Sequence, residues 1–173
     1  MASADEKKVR LRSKDGEVFE VQEKAIGAFS VTITGMIDEG RTDHDGVVEL
    51  PNVSAATLSR VLEYVVRHFD ADDSYPSSSF NPSDDDPLAR FDEDLVSVDN
   101  DTLFDFLEAA NFLNIVKLLD LTCKAVAEQM RGRTADEIRE KFHIVNDYTK
   151  EEEEDVGREN SWAFDETMPL SMD

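Results

Sequence analysis

The chain has 173 residues, 40% of them hydrophobic and 34% charged, with a formal net charge of −22 and a single cysteine, Cys123. One cysteine excludes an intramolecular disulfide and a cysteine metal cluster, and a reducing compartment is the expected home. So large a negative charge repels nucleic-acid phosphates and anionic lipid, so neither nucleic acid nor membrane is an expected partner.

Two segments carry most of the excess charge. Residues 70–94 hold nine acids against Arg90, and residues 151–173 hold nine against Arg158. No run reaches the roughly 20 apolar residues of a membrane span. The start, MASADEKKVRLRS, lacks the apolar stretch of a secretory signal. A soluble protein of the nucleus and cytoplasm is expected.

The first block reads as a small α/β unit. Val9 and Leu11 alternate with charges, as do Phe19 and Val21, and Asp15-Gly16 between them signals a hairpin turn. A third strand fits Val47–Leu50, stopped by Pro51. Ser54 can cap a helix in which Leu58, Val61, Leu62, Val65 and Phe69 recur at helical spacing. Residues 70–94 then hold three prolines, five serines and the run Asp84-Asp85-Asp86. This segment reads as a disordered acidic loop inserted into the domain.

Periodicity returns at Leu95. Asp101 can cap a helix from Thr102 to about Ala110, and Asn111 and Asn114 mark a break after it. Leu118, Leu119, Thr122, Cys123 and Val126 predict a second helix, with Gly132 as its stop. Two short helices follow, each opened by a capping box: Thr134-Ala-Asp-Glu137 and Thr149-Lys-Glu-Glu152. Their apolar residues are few and large: Ile138, Phe142, Ile144, Tyr148, Val156, Trp162 and Phe164. Left in water, such side chains form a patch that marks an interaction site. The competing reading folds them back onto the domain core.

No catalytic constellation is present. The chain lacks a P-loop, GxGxxG, HExxH and GxSxG, and His44, His68 and His143 show no metal-ligand spacing. Cys123, on an apolar helix face, reads as a buried structural cysteine rather than a nucleophile. Catalytic residues, metal, cofactor and small-molecule substrate are therefore none. A hydrolase or metal enzyme would have only the acidic runs behind it.

The second half resembles the Skp adaptor family. The resemblance rests on Leu103–Ile115, Leu118–Ala127, Gly132–Arg139, Phe142–Thr149 and Glu159–Phe164. The front half agrees in Ser13–Glu17, Ser30–Ile33 and Leu50–Val53, and the Trp-Ala-Phe ending looks like the plant branch. The resemblance implies a BTB/POZ-like α/β domain, a small three-stranded sheet with helices, followed by two C-terminal helices. It implies a cullin-binding domain over 1–69 and 95–131, the acidic loop at 70–94, F-box-binding helices over 132–164 and a tail at 165–173.

It also implies an adaptor of SCF-type ubiquitin ligases, not an enzyme, bridging a cullin scaffold and an F-box substrate receptor. F-box contact carries over to Leu119, Cys123, Val126, Ile138, Phe142, Ile144, Asn160 and Trp162, and cullin contact to Phe104, Glu108, Asn111 and Phe112. For Phe104 and Leu107, packing in the core stays open as the alternative. Glu108 stands where the family usually has an apolar residue, which motivates a second expectation: a module that binds F-box proteins without engaging cullin. Gly157 replaces a basic helix former in the last helix, at a cost of roughly 1 kcal/mol. That helix is expected to order only with a partner bound.

Overall fold

A hairpin starts the fold, and its chemistry is local. In the computed structural model, which describes residues 7–74 and 86–163, strand β1 (Lys8–Ser13) turns through Lys14-Asp15-Gly16 into β2 (Val18–Gln22). Gly16 takes φ +85°, a conformation that costs a side-chain-bearing residue dearly. Val9, Leu11 and Ser13 point inward while Lys8 and Arg10 face water, the period of two that the sequence shows.

Strand β3 (Val47–Leu50) joins β1 in parallel, with Leu11 opposite Val48, giving the order β2-β1-β3. A parallel neighbour needs a crossover. Two helices supply it: α1 (Glu23–Phe29) and α2 (Val31–Asp38). Neither is evident from periodicity. Gly27, Gly35 and the β-branched Val31, Thr32, Ile33 and Thr34 lower helix propensity there. Burial of Ala25, Ile26 and Ile33 offsets that deficit.

Helix α3 (Ala55–Ser74) begins at the expected cap: Ser54 Oγ accepts from Thr57 N at 3.2 Å. Asp15, in the hairpin turn, accepts from Ala55 N at 2.6 Å, so the turn also caps this helix. Leu58, Val61, Leu62, Tyr64 and Val65 are buried along it.

The acidic-loop reading of 70–94 needs correction at both ends. Helix α3 continues to Ser74, and α4 occupies Pro87–Val96. The part of that reading on residues 75–85 lies outside the described residues. Asp86 caps α4 by accepting from Leu88 N at 3.0 Å, and Pro87 sits at the first helical position, where its missing N–H costs nothing. Phe91 and Leu95, four apart, are buried. Arg67 lies 4.4 Å over the Phe91 ring, and His68 Nε2 meets Asp92 Oδ1 at 2.8 Å, so α4 is clasped to α3. The aspartate run conceals a helix start.

Helix α5 (Asn100–Phe112) is capped by Asp99, not Asp101, through its bond from Thr102 N at 3.0 Å. It stops at Asn114, φ +52°, where Ile115 N bonds Ala110 O at 2.9 Å and Asn114 N bonds Asn111 O at 3.1 Å. That pair of bonds is a Schellman stop, with asparagine in the left-handed position. Helix α6 (Val116–Met130) follows, and Gly132 at φ +72° lies beyond its end.

Contacts divide the chain into two units, Met1–Arg131 and Gly132–Asp173. The core of the first gathers Leu11, Ile26, Ile33, Leu58, Leu113 and Leu118, among others. The second holds α7 (Ala135–Lys141), α8 (Lys150–Glu159) and a single 3-10 turn, Ser161–Ala163. Both capping boxes form as the sequence predicts. Thr134 Oγ1 accepts from Glu137 N while Glu137 accepts from Thr134 N at 2.7 Å, and Thr149 and Glu152 repeat the exchange. Helix α8 runs through Gly157. The bonds exchanged by Thr149 and Glu152 at its start favour the helix against the cost of that glycine.

Candidate functional site

In the second unit, no described residue is buried. Ile138 on α7 and Phe142 at its C-cap stand four apart and are half-buried, while Ile144 is exposed. Trp162, in the 3-10 turn, is 67% exposed. Asn160 ends α8, donating Nδ2 to Val156 O at 2.9 Å. Val145 at 83%, Tyr148 and Val156 add exposed apolar surface. Of these, Val145 carries no earlier expectation, because a lone valine in a loop has no periodic signal. Phe164 and the tail 165–173 lie outside the described residues.

The frame holding these side chains is polar and preset. Backbone and hydroxyl bonds from Thr134 hold Glu137 below the ordinary glutamate range, and Thr149 does the same for Glu152. Both carboxylates therefore stay charged at the positive ends of their helices. Arg139 bonds Asp136 at 2.7 Å and lies 3.6 Å from Glu153, tying α7 to the first turn of α8. After α7 the chain turns at His143, φ +55°, with Ile144 N bonded to Arg139 O at 2.8 Å. This second Schellman stop aims Ile144 and Val145 away from the helix axis.

In the first unit, Leu119, Cys123 and Val126 occupy positions i, i+4 and i+7 of α6 and form one stripe. Leu119 packs on the core and Val126 is half-buried. Cys123 is exposed, which corrects its reading as a buried structural cysteine. The inward side of α6 is taken instead by Leu118 and Thr122, whose hydroxyl donates back to Leu118 O at 3.0 Å.

A second surface lies on α5. Phe104, Glu108, Asn111 and Phe112 share one face at i, i+4, i+7 and i+8. Glu108 and Asn111 are exposed, Phe104 and Leu107 are half-buried outside the core cluster, and Phe112 packs against it. The corner after α5 is pinned from far away in sequence. Ser30 Oγ donates to Leu113 O at 2.6 Å, and Thr32 Oγ1 donates to Phe112 O at 2.9 Å. These hydroxyls satisfy carbonyls that a helix end leaves without intrahelical partners. Between them Val31 is 66% exposed, and Val116, opening α6, is 59% exposed. The bonds from Ser30 and Thr32 are not legible in the sequence, because contacts across some 80 positions leave no local pattern.

Known proteins with this pattern are numerous. The model of the Skp1 family tetramerisation domain matches residues 7–70, and that of the Skp1 family dimerisation domain matches 116–163. SKP1-like protein 3 of Arabidopsis thaliana is 48% identical over 161 residues, 92% of this chain and 97% of that protein. The chain belongs to the Skp1 family. SKP1-like protein 20 of Oryza sativa subsp. japonica, another family member, is 46% identical over 168 residues, 91% of this chain and 94% of its own. The SCF ubiquitin ligase complex protein SKP1a of Dictyostelium discoideum is 43% identical over 161 residues, 91% and 96% of the two chains. The three-stranded sheet with its helices is the POZ part of the family, as the resemblance implies.

Proposed function

We propose that this Skp1-family chain is a non-catalytic adaptor of an SCF-type ubiquitin ligase, acting in the nucleus and cytoplasm. Its C-terminal unit holds the F-box of a substrate receptor, and the α5 surface docks on a cullin scaffold. The observation that carries this reading is the run of large apolar side chains left in water on a unit in which no described residue is buried, headed by Trp162 and Ile144. A relative 43% identical bears the name of an SCF complex protein, which supports the same assignment.

The mechanism is positional. Each large side chain that passes from water into a partner interface contributes roughly 1.5–3 kcal/mol. The contact set is Ile138, Phe142, Ile144, Asn160 and Trp162 from the second unit, with Leu119, Cys123 and Val126 of α6. Capping boxes preset α7 and α8, so less ordering entropy is lost on association. On the other surface, Phe104, Glu108, Asn111 and Phe112 meet the cullin, and the adaptor links substrate receptor to scaffold. No bond is made or broken on this chain.

Glu108 motivates a second reading. It sets an exposed charge on the proposed cullin face, so the chain would hold F-box proteins outside a ligase. The test of the main reading is capture of a purified F-box protein. The Phe142→Asp, Trp162→Ala double variant loses it by at least about a hundredfold, since each is an anchor worth roughly 2 kcal/mol. Undiminished capture by that variant contradicts the assignment.

A further inference from the structure

The outward face of α5 carries charge that its own helix does not balance. Asp101, Asp105 and Glu108 stand at i, i+4 and i+7, and all three are exposed. Asn100–Phe112 contains no lysine, arginine or histidine, so no i±3 or i±4 ion pair is open to Glu108 within the helix. Among the described residues, no cation lies within ion-pair distance of any of the three carboxylates. The next cation along the chain, Lys117, lies 5.7 Å over the Phe29 ring.

Position sets Glu108 apart from its neighbours. Asp101 sits in the first turn, where the helix dipole favours an acid. Glu108 lies toward the carbonyl end, where a carboxylate gains nothing from the dipole, and the last turn holds no base. Neither an ion pair nor the dipole gives it a part in stabilising the fold. It stands, however, between Phe104 at i−4 and Phe112 at i+4. A partner covering these aromatics takes the carboxylate out of water. Without a counter-charge that transfer is strongly penalised. A lysine or arginine offsets it through a charge-assisted bond, and its aliphatic stem can lie along a neighbouring ring. A second copy docking face to face would oppose carboxylates to carboxylates.

We propose that Glu108 determines which scaffold the α5 surface accepts. The accepted cullin presents a lysine or arginine to Glu108, and a purely apolar docking face is rejected. This rests on the adaptor reading and names the partner chemistry at that same surface.

The test uses the full chain with a purified F-box protein bound, titrated calorimetrically with a cullin N-terminal domain. Glu108→Gln is expected to weaken binding by at least about tenfold, and Glu108→Lys by at least about a hundredfold. Cullin variants with single surface lysines or arginines changed to alanine are then crossed with Glu108→Gln. At one position the two losses are not additive, by at least about fivefold. Thermal unfolding shows that each variant folds. Phe112→Asp tests the surface itself. If it abolishes binding while Glu108→Gln changes nothing, the α5 surface stands and this proposal falls. If it leaves binding intact, or the parent binds no cullin domain, the surface assignment falls and this proposal with it. Tighter binding by Glu108→Leu, or additive losses at every cullin position, also overturns the proposal.

Discussion

Replacing Ser30 by alanine tests how the α5 surface is held in place. Ser30 is fully buried and uses both faces of its hydroxyl. It accepts from Ile33 N at 3.2 Å as the cap of α2, and donates to Leu113 O at 2.6 Å beyond the end of α5. Loss of the cap costs about 1 kcal/mol. The buried Leu113 carbonyl, deprived of its donor, costs about 1–3 kcal/mol more. Ser30→Ala is therefore expected to lower unfolding free energy by about 2–4 kcal/mol, with an unchanged denaturant slope, in urea titration followed by far-ultraviolet circular dichroism. Thr32→Val, which keeps shape and loses only the half-buried bond to Phe112 O, costs about 1 kcal/mol. A Ser30→Ala chain within about 0.5 kcal/mol of the parent refutes the reasoning, because surface substitutions already span that range.

Two further predictions concern the C-terminal unit. Gly157→Ala stabilises α8 by about 1 kcal/mol, since a Cβ there meets nothing within 4 Å and the helix regains alanine propensity; amide exchange along α8 reads it. Acid weakens both short helices. Glu137 and Glu152 have folded-state values below the ordinary range, so their contribution is full above the unfolded value and is lost as pH falls through the folded one. Below about pH 4, α7 and α8 fray at their first turns, visible in the backbone shifts of Thr134 and Thr149.

What the sequence reveals follows the range of the interactions. The hairpin is legible because Asp15-Gly16 dictates a turn, and the capping boxes because their four-residue reach is local. The α6 stripe of Leu119, Cys123 and Val126 follows from helical period alone. Periodicity does not say how deep each member sits, so Cys123 reads as buried although Leu118 and Thr122 take the inward side. Helices α1 and α2 escape notice because tertiary burial and the bonds from Ser30 and Thr32 overrule weak propensity. Helix α4 escapes because its cap, Asp86-Pro87, closes an aspartate run that reads as loop, although Phe91 and Leu95 stand four apart. The exposure of Ile144, Val145 and Trp162 has no local sequence signal and needs coordinates.

The central claim is that one chain carries two working protein surfaces. Mixing it with a purified F-box protein and a cullin N-terminal domain, followed by size-exclusion chromatography with light scattering, tests that claim most directly. A single peak with the mass of all three proteins is the expected result. A peak holding the chain and the F-box protein, with the cullin domain eluting alone, contradicts the adaptor account and selects the reading built on Glu108.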